Sequence, residues 1–328
     1  MIVVTGAAGF IGSNIVADLE RLGKGPIAVC DWFGSGEKWL NLAKRSIAAF
    51  VAPERLIDFL NANASAISAV IHMGAISATT EKDVDRLVEL NINFSVSLWD
   101  WCAAARVPFL YASSAATYGG READFSDQDD AESLSQLRPL NGYGWSKKAV
   151  DQIFAARVAE GRPTPPQWIG FKFFNVYGPN EYHKDDMRSV ISKLFDTIQA
   201  GEGIKLFKSH RPDIRDGEQL RDFVYVKDCS KIACWALENP TVSGIFNLGT
   251  GKARSFLDLA MLVRSRLKQH VPIEFIDMPE AIRAKYQYFT QADTTKIKLA
   301  GMNFEFTSLE DGIADYLDHY LLRDDRYR

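Results

Sequence analysis

The fold is decided by the stretch Ile2-Val3-Val4-Thr5-Gly6-Ala7-Ala8-Gly9-Phe10-Ile11-Gly12 of the 328-residue sequence. Its first four residues are typical of a buried strand, and Ile11, Ile15 and Leu19 fall on one face of the helix that follows. The glycines between them allow the backbone to approach a pyrophosphate, whose charge the free N–H groups of the helix favour. The predicted contacts of this turn with a dinucleotide are Gly6, Gly9, Phe10, Ile11 and Gly12.

Further short apolar runs alternate with longer amphipathic stretches in the first half of the chain. The predicted strands are Ile2–Thr5, Ile27–Asp31, Ala69–His72, Pro108–Ala112 and Trp168–Phe173. This alternation predicts an α/β fold, a doubly wound parallel Rossmann sheet covered by helices. Ligands bind such a sheet at the carboxyl ends of its strands, so the functional residues are expected there.

The regular alternation ends near residue 175, where Tyr177-Gly178-Pro179-Asn180 is a predicted turn. We predict a dinucleotide-binding domain from residues 1–174 plus about 219–243. A smaller, discontinuous α/β substrate domain would take about 175–218 plus 244–328. The run Arg221–Val226 is predicted to return to the first domain, and the acidic run Asp124–Glu132 to be a solvated loop.

Composition restricts the classes of function. The net charge of −4 offers no basic field for nucleic acid. No apolar run approaches the roughly 20 residues of a membrane-spanning helix. Met1 leads directly into a strand without a signal peptide, so we expect a cytoplasmic protein without a membrane partner. The four cysteines lack metal-ligand spacing, which predicts buried thiols and no metal site.

Asp31 ends the second predicted strand. A carboxylate at this position usually accepts the adenosine ribose hydroxyls and favours NAD, since it repels a 2′-phosphate. Lys38 lies in the glycine-rich loop that follows and could neutralise that phosphate. The sequence therefore predicts a tightly bound nicotinamide cofactor, taken as NADP with NAD as the alternative.

Tyr143 and Lys147 are four residues apart in a predicted helix, so their side chains lie one above the other on the same face. A phenol titrates near pH 10, but a neighbouring ammonium favours the phenolate and suits Tyr143 to act as an acid/base. A hydroxyl beyond the Pro108–Ala112 strand would orient a substrate alcohol. The hydroxyls available there are Ser113, Ser114 and Thr117.

The Gly-x-x-Gly-x-x-Gly turn, the Tyr-x-x-x-Lys pair and the serine strand end together resemble the extended short-chain dehydrogenase/reductase family. The family's register favours Ser114 as the orienting hydroxyl, and Met73-Gly74-Ala75 resembles its turn beside the diphosphate and nicotinamide. Asn91 and Asn93 are expected in a long helix beneath that turn, with a bend or cap as their alternative role. The further implied cofactor contacts are Asp31, Trp32, Lys38, Met73, Gly74, Ala75, Asn91, Tyr143 and Lys147.

Several stretches resemble the bacterial ADP-glyceromanno-heptose 6-epimerases, and together they span essentially the whole chain. They are Phe109–Gly120, Phe173–Pro179, Glu181–Lys184 with Met187, Arg221–Val226, Gly244–Gly251, and Tyr286-Gln287 with Phe289–Asp293. The resemblance implies interconversion of ADP-D-glycero-D-manno-heptose and ADP-L-glycero-D-manno-heptose. It also implies a homo-oligomer, with a pentamer as one form, and a role in lipopolysaccharide biosynthesis.

In that family the counterpart of Lys184 is a second acid/base. Asp185-Asp186 departs from the small residues that usually follow this lysine, and the loop 209–219 is longer than usual. The implied substrate contacts are Ser114, Asn175, Asp186, Lys193, Leu206, Phe207, Arg221 and Tyr286. The cations that either contact a diphosphate or are merely solvated are Lys205, Lys208, Arg211 and Arg215.

The implied reaction passes through a 6-keto sugar with transient hydride transfer to NAD(P). Inversion requires the ketone to present its opposite face, and the reoriented oxygen then needs a second proton donor. The catalytic residues predicted for this scheme are Ser114, Tyr143, Lys147 and Lys184. The alternatives are another nucleotide-sugar 4-epimerase or 4,6-dehydratase, and an inactive NAD(P)-binding regulator. Ala115-Ala116-Thr117 lacks the Asp-Glu pair that usually drives elimination in a dehydratase.

Overall fold

The computed structural model describes residues 1–283 and 286–328. The strands are β1 (Ile2–Thr5), β2 (Ile27–Cys30), β3 (Ala49–Val51), β4 (Ala69–His72), β5 (Phe109–Ser114), β6 (Trp168–Phe173), β7 (Asn175–Tyr177), β8 (Ile204–Phe207), β9 (Leu220–Tyr225), β10 (Gly244–Leu248), β11 (Ala253–Ser255) and β12 (Ile273–Ile276). The α-helices are α1 (Phe10–Arg21), α2 (Leu56–Ala62), α3 (Val84–Leu87), α4 (Phe94–Ala105), α5 (Ala131–Ser135), α6 (Gly142–Ala159), α7 (Val190–Gln199), α8 (Val226–Glu238), α9 (Phe256–Arg266), α10 (Glu280–Arg283), α11 (Thr295–Leu299) and α12 (Leu309–Tyr316).

The largest sheet has seven parallel strands in the order β10-β6-β5-β4-β1-β2-β3. The strand order reverses between β1 and β4, which opens a crevice at their carboxyl ends. This sheet confirms the predicted doubly wound α/β fold. The predicted strands differ from it only at their ends: β2 stops at Cys30, and β5 continues to Ser114.

Both faces of this sheet are buried, as expected of a parallel sheet between two layers of helices. Every residue of β1, β2 and β4 is buried. On one face the apolar core includes Ile15 of α1 and Ile232 of α8, and on the other it includes Trp99 of α4 and Phe154 of α6. The rings of Trp99 and Phe154 stack with their centroids 4.1 Å apart.

A second lobe contains the small sheet β11-β9-β7, the parallel pair β8 and β12, and a third apolar core between α7, α9 and α12. The Arg221–Val226 run, which was predicted to return to the first domain, forms β9 and pairs with β7 and β11. The following helix α8 packs on α1. β10 joins the large sheet beside β6, because α8 has already brought the chain back to that sheet. The division into two domains stays a prediction.

The predicted solvated loop Asp124–Glu132 is wrong in part. The carboxylate of Asp127 accepts a hydrogen bond from the backbone N–H of Asn247 at 2.7 Å, and Asp129 accepts one from Ile245 at 2.9 Å. Asp127 is buried. The strand β10 lies at an edge of the sheet, and these carboxylates pair with N–H groups that have no neighbouring strand.

Other predictions concern the whole chain. The four cysteines are buried and free, which confirms the predicted thiols. Across residues 1–283 and 286–328, no helix combines the length and apolar character needed to cross a bilayer. Three or more metal-ligating side chains do not converge anywhere in that part of the chain.

Candidate active site

A cavity of about 660 Å³ lies at the carboxyl ends of the strands around the reversal point. Its walls come from the segments that follow β1, β2 and β4, from the end of β5, from α6, and from the segment that carries Lys184. The predicted cofactor-binding and catalytic residues that line it are Gly6, Gly9, Phe10, Ile11, Gly12, Asp31, Trp32, Lys38, Met73, Gly74, Ala75, Ser114, Tyr143, Lys147 and Lys184. The fold therefore brings together residues that lie up to 178 positions apart in sequence, from Gly6 to Lys184.

The glycine turn packs closely against neighbouring backbone, which is possible only because side chains are absent from it. Gly6 has a φ of +61°, and a Cβ atom there would lie 2.5 Å from the backbone nitrogen of Gly74. A Cβ atom on Gly12 would lie 2.1 Å from the carbonyl oxygen of Gly6. Gly9 begins α1 without a side-chain cap, so the first N–H groups of the helix remain available. These features fit the pyrophosphate of a dinucleotide.

Asp31 lies at the end of the cavity where the adenosine ribose of such a cofactor is expected. One carboxylate oxygen accepts a hydrogen bond from the Ala8 backbone N–H at 2.8 Å, and the other accepts one from Lys38 at 2.5 Å. Lys38 also donates to the carbonyl oxygen of Trp32 at 3.0 Å. The Trp32 indole donates to Glu54 at 2.7 Å. This end of the cavity therefore holds two carboxylates and one ammonium.

A buried hydrogen-bonded chain supports the Met73-Gly74-Ala75 turn. The Ser95 hydroxyl donates to the carbonyl oxygen of Asn91 at 2.6 Å, so it accepts from Nε2–H of His72 at 2.9 Å. Nδ1 of His72 therefore accepts from the Thr5 hydroxyl at 2.6 Å, and the Thr5 oxygen accepts from the Gly74 N–H at 3.2 Å. Burial lowers the pKa of His72 to about 3. The ring is neutral at physiological pH and serves as a fixed connection.

Asn91 does not line the cavity, and its direct contact with the cofactor stays a prediction. Its side-chain oxygen accepts from the Ile76 N–H at 2.8 Å, and its nitrogen donates to the Ile76 carbonyl and to Ser146, each at 3.0 Å. Asn91 lies in the π-helical segment Val88–Asn93, and both ends of its amide are occupied within the protein. It holds the turn in place, whereas Asn93 lines the cavity.

Tyr143 and Lys147 reach the cavity from the first turns of α6, which begins after Asn141 caps the Gly144 N–H at 2.8 Å. Burial raises the pKa of Tyr143, and the hydroxyl of Ser114 opposes this change. Burial lowers the pKa of Lys147 to about 8. Lys147 lies one helical turn after Tyr143 on the same side of α6, so its ammonium would favour the phenolate and oppose the effect of burial.

The three hydroxyls at the end of β5 have different partners. Ser113 donates to Asp151 at 2.7 Å, and Thr117 donates to the carbonyl oxygen of Ser114 at 2.8 Å. The Ser114 oxygen accepts from the Ala116 N–H at 3.1 Å, and its hydroxyl is hydrogen-bonded to Tyr143. Ser114 lines the cavity beside the predicted acid/base, so of the three it is the hydroxyl best placed to contact a ligand oxygen.

Lys184 enters the cavity from a different wall, on the 3₁₀ segment Tyr182–Met187. Burial lowers the pKa of its ammonium, which lies 5.3 Å from the centre of the Phe10 ring. His183 also lines the cavity, and burial lowers its pKa to about 4. His183 was not predicted as a site residue, although it directly precedes the predicted acid/base Lys184.

Asn41, which the sequence analysis missed, fastens the glycine turn to the segment that carries Lys184. Its buried amide nitrogen lies 2.8 Å from the carbonyl oxygen of Ala8, 3.1 Å from that of Asn180 and 3.1 Å from Nδ1 of His183. A second connection runs from the amide of Asn180 to the hydroxyl of Ser13 at 3.0 Å. Nothing in the local sequence around Asn41 distinguishes it from a loop residue.

Comparison with known proteins identifies the family. Residues 2–249 match the NAD dependent epimerase/dehydratase family. The chain belongs to this family. A Nitratidesulfovibrio vulgaris (strain DP4) protein named ADP-L-glycero-D-manno-heptose-6-epimerase is 47% identical over 329 residues, covering 100% of both sequences. The family makes NAD(P) the cofactor class, in agreement with the glycine turn.

Two solved structures of epimerases have the same fold. The Helicobacter pylori ADP-L-glycero-D-manno-heptose-6-epimerase has a TM-score of 0.81 and 27% identity, covering 97% of this chain and 95% of that one. A UDP-glucose 4-epimerase from Thermus thermophilus, solved in complex with NAD, has a TM-score of 0.75 and 25% identity, covering 97% and 98%. The first of these shares both the fold and the name of the full-length relative.

Three of the predicted substrate-binding residues, Arg221, Tyr286 and Phe207, form a cluster outside the lining of the cavity. The Arg221 guanidinium lies 5.2 Å from the centre of the Tyr286 ring, and that ring lies 6.2 Å from the ring of Phe207. Burial lowers the pKa of Arg221. Residues alternate along β8, so the side chain of Leu206 packs into the second lobe's core, and its substrate contact stays a prediction.

The remaining predicted substrate residues also lie away from the cavity lining. Asn175 and Asp186 are exposed, and Lys193 donates to the carbonyl oxygen of Asp186 at 2.5 Å. In the long loop, Arg211 forms ion pairs with Glu122 and Asp213. These contacts favour solvation over phosphate binding for Arg211.

Proposed function

We propose that the chain is an ADP-L-glycero-D-manno-heptose 6-epimerase, which interconverts the D-glycero and L-glycero forms of its substrate. The observation that carries the proposal is that two acid/base groups on different chain segments, Tyr143 and Lys184, line the same cavity as the glycine turn. Epimerisation through a ketone needs proton transfer on two sides of the sugar, which a simple dehydrogenase does not. The full-length relative supports the choice of ADP-heptose as the substrate.

The proposed mechanism assigns a role to each residue. The chemistry that a bound nicotinamide supplies is reversible hydride exchange with carbon 6 of the heptose. Ser114 orients the hydroxyl on that carbon while Tyr143 takes its proton, and Lys147 favours the phenolate form of Tyr143. After the sugar reorients, the oxygen of the 6-keto intermediate faces Lys184. Lys184 then returns a proton, which its desolvated environment makes easier because burial disfavours the charged ammonium.

For the cofactor we propose NADP, with Lys38 as the cation that meets the 2′-phosphate. Lys38 is only 2.5 Å from Asp31, so a phosphate would have to compete with that carboxylate for the ammonium. NAD is the second candidate, because Asp31 and Glu54 both carry negative charge at this end of the cavity. Titration of cofactor-stripped protein with NADP⁺ and NAD⁺ separates them. A Lys38→Ala variant that loses affinity for NADP⁺ alone would support the proposal, and an equal loss for both cofactors would contradict it.

The nucleotide end of the substrate is proposed to bind at the cluster of Arg221, Tyr286 and Phe207. Arg221 is almost fully buried between aromatic rings, and its side-chain hydrogen bonds go to the carbonyl oxygens of Leu220 and Gln287. A guanidinium in such a setting is suited to a diphosphate, and the neighbouring rings are suited to a base. Contacts with Asn175, Asp186 and Lys193 stay predictions, as do the homo-oligomer and the cytoplasmic location.

The test is a conversion assay on the purified protein with its bound cofactor. ADP-D-glycero-D-manno-heptose is added, and proton NMR follows the configuration at carbon 6. We expect an equilibrium mixture of the two epimers without net reduction of added cofactor. UDP-glucose and dTDP-glucose serve as matched nucleotide sugars. Conversion of either of these instead of the heptose would overturn the proposal and favour a 4-epimerase or 4,6-dehydratase.

A further inference from the structure

Asp151 is a buried carboxylate directly behind the catalytic pair. It follows Lys147 by one turn of α6 and Tyr143 by two turns, so all three occupy the same side of the helix. Its two oxygens accept hydrogen bonds from the hydroxyl of Tyr111 at 3.0 Å and from that of Ser113 at 2.7 Å. The carboxylate therefore connects the helix that carries the acid/base to the strand that carries Ser114.

Lys172 completes this connection from the neighbouring strand. It lies beside Ser113 in the register of β5 and β6, and its ammonium is 2.7 Å from Asp151 and 2.8 Å from the Thr117 hydroxyl. Thr117 in turn donates to the backbone carbonyl of Ser114 at 2.8 Å. The ion pair is therefore connected, through Thr117, to the backbone of Ser114, the residue proposed to orient the substrate.

Stability alone is a weak explanation for this pair. Lys172 is 1% exposed and Asp151 is fully buried, so both charges have lost their hydration. The cost of removing two charges from water commonly equals or exceeds their mutual attraction, and apolar residues of similar volume often replace such pairs without loss of stability. A role in positioning gives the pair a function that apolar residues would not perform.

We infer that Asp151 and Lys172 form a positioning unit that fixes Ser114 relative to Tyr143 and sets the charge around Lys147. The unit contacts neither the cofactor nor the substrate, since neither residue lines the cavity. It acts through the hydrogen bonds to Ser113 and Thr117. The inference rests on the proposed function, because it assumes that Ser114, Tyr143 and Lys147 act together on one hydroxyl.

The charge of Asp151 has a defined direction of effect. It raises the pKa of Lys147, which burial lowers by a larger amount. It also raises the pKa of Tyr143, which burial already raises. Loss of the carboxylate should therefore lower both pKa values. The other titratable or charged groups around the unit are His72 from β4, Tyr111 from β5, Tyr118 from the turn after β5, and Asp127 and Asp129 from the loop beyond it.

The primary test is Asp151→Asn, with the pH dependence of kcat measured beside cofactor affinity and thermal stability. We expect kcat to fall by at least tenfold, and the alkaline limb of the profile to move to lower pH by roughly one pH unit. Lys172→Arg keeps a buried cation and should retain most of the activity. The matched control is Asp228→Asn. Asp228 is a buried carboxylate on α8 that accepts hydrogen bonds from Thr307, and its substitution should leave the pH profile unchanged.

A second variant covers the case in which Asp151→Asn does not fold. Asp151→Asn combined with Lys172→Met leaves no buried charge unpaired, so it should fold while kcat remains at least tenfold low. Wild-type kcat in the double variant, or an unshifted pH profile in folded Asp151→Asn, would overturn the inference.

A substrate-free measurement separates this inference from the proposed function. The ultraviolet phenolate titration of Tyr143 is obtained as the difference between a protein and its Tyr143→Phe version. We expect this titration at lower pH with Asp151→Asn than with the wild-type carboxylate. If the titration shifts as expected but the protein has no epimerase activity, the proposed function is overturned and the inference stands. An unchanged titration would overturn the inference even in an active enzyme.

Discussion

Asn41 provides a sharp test of whether the glycine turn and the Lys184 segment work as one unit. The perturbation is Asn41→Asp, which keeps the shape of the side chain and replaces its NH₂ group by an oxygen. In the wild-type protein this group faces the carbonyl oxygens of Ala8 and Asn180, and the other side-chain atom, Oδ1, has no hydrogen-bond partner. The substitution therefore removes the donor without creating a cavity.

The expected cost follows from these two contacts. A buried acceptor left without its donor costs about 1–3 kcal/mol. Ala8 and Asn180 are both buried, so the loss of the two contacts should lower the free energy of unfolding by about 2–6 kcal/mol. Burial should raise the pKa of the introduced carboxyl above its unfolded value of about 3.9. The loss is then smallest at low pH, where the carboxyl keeps a proton to donate, and grows as pH rises through the raised pKa.

The assay is urea unfolding of the cofactor-stripped protein at pH 5 and pH 8, together with kcat at pH 8. Displacement of the Lys184 segment should lower kcat by at least tenfold, because small errors in acid/base position strongly reduce proton transfer. The matched control is Asn63→Asp, in which the amide donates to the Phe59 carbonyl at 2.8 Å at the end of α2. If Asn41→Asp unfolds within 1 kcal/mol of the wild type and keeps its kcat, the proposed coupling is refuted.

Three further predictions concern the cavity itself. Gly12→Ala should reduce NAD(P) affinity at least tenfold because its Cβ would lie 2.1 Å from the Gly6 oxygen, whereas Gly36→Ala, with no atom within 4 Å, should bind normally in a calorimetric titration. Lys184→Met should lower epimerisation at least 100-fold but still allow one epimer to reduce the bound cofactor, as read from nicotinamide absorbance, and unchanged epimerisation would exclude a second acid/base. For the wild-type enzyme, kcat should fall as pH rises above about 8, where Lys147 loses its proton, and a rate that keeps rising to pH 10 would exclude this role.

The sequence predicted the parts of the site that depend on local geometry. The glycine turn requires a positive φ at Gly6, and the helical spacing of Tyr143 and Lys147 places both on one face, so these features are readable from neighbouring residues. The fold class followed for the same reason, since period and length distinguish strands from helices along the chain.

The features that the sequence did not predict depend on contacts between distant residues. β9 has strand-like residues, but only its pairing with β7 and β11 decides its sheet. Asn41 and Asn91 are ordinary polar residues until the fold brings Ala8 and Ile76 to their amides. Likewise, Asp151 on α6 belongs to no sequence motif, because its proposed role depends on contacts with residues of β5 and β6.

The acidic run before α5 also affects how the molecule can associate. An edge strand normally presents free N–H groups to any other chain with an extended backbone, which is a route to aggregation. The N–H groups of β10 at Ile245 and Asn247 are already bound by Asp129 and Asp127. Lys296 of α11 pairs with Asp129 at 2.8 Å and donates to the Ile245 carbonyl oxygen at 3.0 Å. A second copy approaching this edge would therefore find backbone donors and an acceptor of β10 already occupied, without a covering strand.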